Sequence, residues 1–331
     1  MQRLLRFSVG LILLFSFMSG TVSAADPDPF KLKVGVLQFG TVNWTLNVLK
    51  EQGFDKAQGV DVEIVPLSSK NATSVSLLGD AVDVIVTDWI WVSRQRADGY
   101  KFTFAPYSLT VGSVMVRPGA GIDSVADLAG KSLGIAGGPV DKSWLLLRAY
   151  TQKTLGQDIA AQTEPKFAAP PLLNQLMEQG DLDAALNFWH YAARLKAKGM
   201  QQLIGVDEIL PELGVNDAVP LLGWVFYEDW GNANKDAILG FLHAVREAQN
   251  LMRDSDELWD TMLRPLTKAE DDATLLALRN SYRQGIPAQF GTTEIAAAEQ
   301  VFAILAQLGG EALTGNSKKL EPGTFWESAT F

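Results

Sequence analysis

The sequence predicts an α/β fold in which mainly parallel sheets are flanked by helices. Short runs that are apolar, or that alternate apolar and polar residues, are typical of strands, and they alternate along the chain with longer helical patterns. A β-α-β order of this kind implies parallel strands with helices on both faces of the sheet. The chain has 331 residues, 47% hydrophobic and 20% charged, which suits one large domain or two domains with a sizeable core.

The first α/β unit begins at residue 31. Its predicted strands are 31–37, 60–66 and 82–86. Its predicted helices are 44–52, 73–79 and a third that begins near 89. Ligands of parallel sheets bind outside the carboxyl ends of the strands. We therefore expect one crevice to be lined by the turns that follow the three strands, at 38–44, 68–73 and 87–89.

A second unit begins near residue 113. Its predicted strands are 113–116, 131–136 and 184–188, and its predicted helices are 123–128, 140–155, 172–179 and 192–198. A further strand at 221–227 precedes a region that is almost wholly helical from residue 233 onward. Two stretches, 108–113 and 217–223, are expected to connect the two units.

Residues 1–25 have the three parts of a secretory signal peptide. Arg3 and Arg6 form a positive start, residues 9–18 form an apolar run, and the small residues at 22–25 suit cleavage. The alternative is an uncleaved anchor, but the apolar run is shorter than the roughly 20 residues that a membrane span needs. We expect an exported protein, cleaved near residue 25 and located in a bacterial periplasm.

The composition excludes several classes of function. Lys and Arg number 28 against 38 Asp and Glu, and this net charge of -10 disfavours nucleic acid and anionic membranes as partners. The absence of Cys excludes disulfides, thiolate metal sites and thiol nucleophiles. Only His190 and His243 could serve as imidazole ligands or bases, and no P-loop or GxGxxG motif occurs. We expect no metal and no cofactor.

Four segments resemble a known protein family. They are LGDAVDV at 78–84, VRPGAGIDSVADLAGK at 116–131, EQGDLDAA at 178–185 and FLHAVREAQNLM at 241–252. In the same order, they resemble segments of the periplasmic substrate-binding proteins of ATP-binding-cassette (ABC) importers, in the group for nitrate, sulfonate, taurine, bicarbonate and thiamine-pyrimidine precursors.

The resemblance implies the two-lobed type II fold of periplasmic binding proteins, in which crossing strands join lobes that close on a ligand. By that likeness, residues 26–112 and 219–331 form lobe one, and residues 113–218 form lobe two. It also implies a small-molecule ligand, an ABC permease of the inner membrane as partner, a monomer and no enzymatic activity.

Two turns depart from the family pattern. The turn at 137–139 is Gly-Gly-Pro, where relatives are often rich in Ser and Thr, and the third strand ends in Thr87-Asp88-Trp89. A carboxylate beside Trp suits a cation or a hydroxyl donor. With nine Trp in the chain, these departures favour an organic ligand with an amine over a simple oxyanion.

Twelve residues of the converging turns are predicted to contact the ligand. Polar side chains and helix N termini would supply hydrogen bonds, and Trp rings would supply flat walls. The set is Gln38, Asn43, Trp44, Ser69, Asn71, Asp88, Trp89, Gly138, Asp141, Trp144, Trp189 and His190. Structural roles stay open for these residues, because the polar ones also suit helix caps and the Trp also suit the core.

Two other functions stay open at this point. A ligand-sensing partner of a membrane receptor would use the same two lobes, and the sequence does not separate it from a transport protein. Some relatives of the fold make a thiamine pyrimidine with a Lys and a His. For such an enzyme the candidates are Lys70, Lys142 and His190.

Overall fold

The computed structural model describes residues 28–331, and the predicted signal peptide lies outside them. These residues contain ten strands: β1 (Phe30–Leu37), β2 (Val60–Leu67), β3 (Val84–Asp88), β4 (Phe102–Ser108), β5 (Ser113–Val116), β6 (Ser132–Ala136), β7 (Glu164–Ala168), β8 (Ala184–Asn187), β9 (Gln201–Gly205) and β10 (Leu222–Tyr227).

Helices surround the strands. In chain order they are α1 (Val42–Glu51), α2 (Phe54–Ala57), α3 (Lys70–Leu78), α4 (Trp89–Ala97), α5 (Lys142–Leu155), α6 (Ile159–Gln162), α7 (Pro170–Gln179), α8 (Trp189–Ala197), α9 (Val206–Glu212), α10 (Glu228–Ala233), α11 (Lys235–Asp254), α12 (Asp256–Leu258), α13 (Arg264–Thr267), α14 (Asp272–Gln284) and α15 (Thr292–Thr314). Short 3-10 helices lie at Val125–Leu128 and Glu327–Ala329, and a π-helical turn lies at Trp259–Leu263.

The strands form two five-stranded sheets. The first has the order β2-β1-β3-β10-β4 and the second has the order β7-β6-β8-β5-β9. In each sheet the first three strands are parallel, and β10 or β5 runs antiparallel to both of its neighbours. Both antiparallel strands directly follow a segment that crosses between the sheets, 109–112 or 213–221. The predicted α/β class is confirmed.

We call the first sheet with its helices lobe one and the second sheet with its helices lobe two. Each sheet falls within the ranges expected for its lobe, although the boundaries at 112/113 and 218/219 stay a prediction. The lobes contact each other through two pairs of helices, because α8 packs on α14 and α5 packs on α15. No helix within residues 28–331 is long and apolar enough to cross a membrane.

Three strands were not predicted from the sequence, and all three lie at the edges of the sheets. They are β4, β7 and β9. Pro106 and Pro165 interrupt β4 and β7, which a sheet edge tolerates because only one side of the strand needs hydrogen bonds. The predicted turn at 87–89 is also absent, because β3 runs to Asp88 and α4 begins at Trp89.

Candidate ligand-binding site

The segments that follow the strands of the two lobes face each other across one cleft. Asp88, at the end of β3 in lobe one, accepts a hydrogen bond of 2.8 Å on Oδ2 from Nζ of Lys142, the first residue of α5 in lobe two. Trp44 of α1 and Trp189 of α8 also meet across this boundary, edge to face, with ring centroids 5.8 Å apart. These two contacts bring together segments that follow β1, β3, β6 and β8.

Opposite charges meet in the centre of this cleft. The Asp88 and Lys142 side chains are 12% and 24% exposed. Burial disfavours the charged form of both side chains. The charge and the hydrogen bond of the partner, together with weaker contributions from neighbouring groups, outweigh this effect. The pKa of Asp88 is therefore held below its usual value and that of Lys142 above its usual value. The second oxygen of Asp88, Oδ1, accepts the Trp91 N–H at 2.9 Å and caps α4. Asp88 is therefore not the unpaired carboxylate that an amine ligand would need.

Two more charged residues line the cleft. Asp141 caps α5 by accepting the N–H groups of Ser143 at 3.0 Å and Trp144 at 3.3 Å, and burial raises its pKa. Lys70 opens α3, and its positive charge helps to hold the pKa of Asp88 low and partly offsets the effect of burial on the pKa of Asp141. It is exposed and forms no salt bridge with any of residues 28–331. Lys70 is therefore a cation at the cleft that a ligand is free to pair with.

Aromatic rings form one wall of the cleft. Trp44 is 6% exposed and packs edge to face on Trp259 as well as on Trp189, while Tyr282 lies against all three rings. The Tyr282 hydroxyl shares a hydrogen bond of 2.6 Å with Thr45, which anchors the wall in the core of lobe one. Trp189 is half-buried at the start of α8, where lobe two meets Trp44 of lobe one.

Four of the predicted polar contacts have structural or exposed positions. Ser69 caps α3 through the Ala72 N–H at 3.1 Å, and the Asn43 amide donates to the carbonyls of Leu37 and Gly40 at 2.7 and 2.9 Å. Gln38 and Asn71 are exposed at the rim.

The turn that enters α5 depends on glycine. Gly137 and Gly138 have φ values of +88° and +99°, a left-handed conformation that side chains other than glycine rarely adopt. A Cβ at Gly137 would lie 2.5 Å from Oδ2 of Asp141. The Gly-Gly-Pro departure therefore serves to seat Asp141 under the start of α5.

Two predicted Trp contacts lie in the core instead of the cleft. Trp89 is fully buried against Phe302 and Phe325, and its indole N–H donates to the Pro220 carbonyl at 3.0 Å. Trp144 is 2% exposed and packs on Phe167. Contact between the ligand and these two residues is therefore not supported.

His190 is half-buried beside Trp189 at the start of α8. Its Nδ1 atom has no hydrogen-bond partner among the described residues. Burial, together with the nearby positive charge of Arg194, lowers the pKa of His190 to about 3. The imidazole is therefore neutral at physiological pH.

Sequence reasoning left Lys142 out of the predicted binding set and named it only for the enzymatic alternative. The available signal was its position directly after the cap residue Asp141. Its partner Asp88 lies 54 residues away in the other lobe. The sequence pattern around either residue does not predict that the two side chains pair.

A separate cavity of about 380 Å³ lies against the crossing segments. Its walls come from residues 109–113 and 215–219, from α8 and from the end of α14, and Trp189 is the one predicted contact that lines it. The cleft is the candidate site, because charged and aromatic residues that follow the strands meet there. Within residues 28–331, no cluster of three or more acidic or His side chains could hold a metal ion.

Comparison with solved structures supports the same fold. The aliphatic sulphonate binding protein SsuA of Escherichia coli superposes with a TM-score of 0.72 at 17% identity, covering 90% of this chain and 92% of that one. A putative sulfonate-binding SsuA of Methylobacillus flagellatus gives 0.66 at 14% identity, over 91% and 93% of the chains. The desulfurization enzyme DSZB gives 0.57 at 15% identity, over 85% and 92%.

Sequence comparison identifies the family. Curated proteins give no match. The family model described as NMT1/THI5 like matches residues 45–257, well over half of the chain. The match covers most of α1, both crossing segments, all of lobe two and all of α11, and it agrees with the resemblance to periplasmic binding proteins. The chain therefore belongs to the NMT1/THI5-like family and has the two-lobed fold of periplasmic solute-binding proteins.

Proposed function

We propose that this protein is the solute-binding component of an ABC importer. It binds a small organic molecule in the cleft between its lobes, in the periplasm, and delivers it to a permease in the inner membrane. The observation that carries this proposal is the meeting of Asp88 with Lys142, and of Trp44 with Trp189, across a single cleft. The fold shared with SsuA, a sulphonate binding protein by name, supports it.

The charges of the cleft favour an organic anion as the ligand. Lys70 is unpaired within the described part of the chain, and Lys142 starts α5, while Asp88 is already neutralised. The first two N–H groups of α8, those of Trp189 and His190, also have no backbone partner among the described residues. The Trp189 face suits the apolar part of such a ligand. This reverses the expectation of an amine.

Binding in such a cleft requires no chemistry. A ligand that contacts both lobes is bound more tightly in the closed form, so it shifts the population toward closure. Two of the three residues named for the enzymatic alternative, Lys142 and His190, are poorly suited to catalysis. Lys142 is held protonated by Asp88, whereas a nucleophilic lysine must be neutral. His190 is held neutral far below physiological pH.

A thermal-melt screen of residues 26–331 tests the proposal. The protein is first unfolded and refolded to remove any co-purified ligand. The panel contains alkanesulfonates, benzenesulfonate, carboxylates, nitrate, bicarbonate, amines and pyrimidines. At about 100 times its Kd a ligand stabilises by about 2.7 kcal/mol, which raises the melting temperature by several degrees. We expect a shift with an organic anion. A screen in which no compound shifts the melt, or in which amines alone do, would contradict the proposal.

Trp189→Leu tests the position of the site. Because this change removes the ring that faces the cleft, we expect calorimetry to show at least about tenfold weaker binding of the same anion. Trp230→Leu is the matched control, because Trp230 is also half-buried but packs on Phe30 and Phe226 at the opposite end of the first sheet. Equal affinities of the two variants would place the ligand elsewhere.

A further inference from the structure

We propose that Asp88 competes with the ligand for Lys142. The carboxylate of Asp88 pairs with the ammonium group of Lys142, which the anionic group of the ligand would otherwise bind. This inference rests on the proposed function and deepens it. It assigns Asp88 a role in setting affinity and ligand class, as a counter-ion of Lys142 and not as a direct ligand contact.

The geometry gives the two oxygens of Asp88 different tasks. Oδ1 is held at 2.9 Å by the Trp91 N–H, which ties the carboxylate to the start of α4. Oδ2 lies 2.8 Å from Nζ of Lys142, across the lobe boundary. A ligand anion therefore has to break one hydrogen bond, the one to Lys142. Asp88 then keeps its helix cap and the neighbouring positive charge of Lys70.

Lys142 is the partner that can move. Its ammonium group ends a flexible four-carbon chain, whereas the carboxylate of Asp88 is short and tied to the helix. The Lys142 side chain is also twice as exposed as that of Asp88, 24% against 12%. An anion that enters from solvent therefore reaches the ammonium group of Lys142 first.

The Asp88–Lys142 pair also takes the place of a ligand in holding the lobes together. A second bridge exists outside the cleft. Arg194 of α8 donates to the Thr267 carbonyl at 2.6 Å and to a Glu270 oxygen at 2.8 Å. Both bridges favour closure, but only the first one occupies a group that the ligand needs. Loss of the Asp88–Lys142 bridge is therefore expected to raise affinity for the ligand, whereas loss of the Arg194–Glu270 bridge is not.

Asp88→Asn tests the proposal, because asparagine keeps an oxygen that accepts the Trp91 N–H and removes the charge. Calorimetry with butanesulfonate, benzenesulfonate and the best anion of the melt screen compares it with the wild type. We expect binding about tenfold tighter, because charge-assisted hydrogen bonds from Lys142 become available to the ligand. Lys142→Met is expected to weaken binding of the same anions by at least about tenfold.

Glu270→Gln is the matched control. It removes the charge of a bridge between the lobes that lies outside the cleft, so it is expected to leave affinity unchanged or lower it. Unchanged or weaker binding by Asp88→Asn, in a variant that melts cooperatively, would overturn the competitor role and leave the proposed function standing. A wild type that binds none of these anions would overturn both.

Discussion

Acidification from pH 7 to pH 4 is expected to cost the protein about 3 kcal/mol of stability through His190 alone. The pKa of this residue is about 3 in the folded protein and about 6.5 in an unfolded chain. The folded state therefore binds fewer protons than the unfolded state between these values. The stability is fully present above pH 6.5 and is lost as the pH falls toward 3.

The physical cause is the site of the imidazole. Nδ1 is buried without an acceptor within the described residues, and Arg194 adds a like charge. Glu270 and the Thr267 carbonyl of lobe one are engaged by Arg194, in the last turn of α8. Protonation must therefore wait for unfolding or for a local opening of the lobes.

Urea unfolding at pH 7 and pH 4 measures this effect. Protonation of carboxylates with lowered pKa values, such as Asp88 and Asp183, also destabilises the protein in acid. The informative quantity is therefore the loss of unfolding free energy in the wild type compared with that in His190→Gln. We expect the variant to lose about 3 kcal/mol less than the wild type over this range. His243→Gln, at an exposed position of α11, is the matched control. A His190→Gln variant that loses as much stability as the wild type would contradict the assignment.

Trp89→Ala is expected to destabilise the protein by about 3–5 kcal/mol without changing the affinity of the folded molecules for ligand. The side chain is fully buried, so its removal leaves a large cavity between α4, α15 and the C-terminal segment. It also removes the donor of the Pro220 carbonyl. The first loss acts on the core and the second on the crossing segment 213–221, and neither removes a charged or aromatic side chain that we place at the cleft.

Urea unfolding and calorimetry on the same preparation separate the two effects. Trp189→Leu should behave in the opposite way, with a smaller loss of stability and a larger loss of affinity, because Trp189 is half-buried at the cleft. If Trp89→Ala instead lowers affinity while stability stays within about 1 kcal/mol of the wild type, Trp89 is a ligand wall and its placement in the core is wrong.

The sequence was sufficient for the architecture because strands and helices carry their pattern locally. The parallel order of β1, β2 and β3 and the convergence of their carboxyl ends follow from the alternation of short apolar runs with helices. The edge strands β7 and β9 were missed because they are short, contain polar residues and lack alternation, and β4 was missed because Pro106 interrupts it.

The individual side chains of the site were less accessible. Trp89 and Trp189 both follow a strand end and both open a helix, yet one points into the core and the other into the cleft. The difference comes from Phe302 and Phe325, more than 200 residues further along the chain, which enclose Trp89. The pairing of Asp88 with Lys142 likewise depends on how the lobes meet.

The most direct test of closure of the two lobes on a ligand is the distance between the lobes, measured with and without ligand. The chain has no Cys, so Glu63→Cys and Lys166→Cys give two clean spin-label sites. Both positions are exposed, on β2 and β7, the edge strands farthest from the crossing segments. We expect an organic anion from the melt screen to shift the distance distribution to shorter values. An anion that binds and leaves the distribution unchanged would contradict the account.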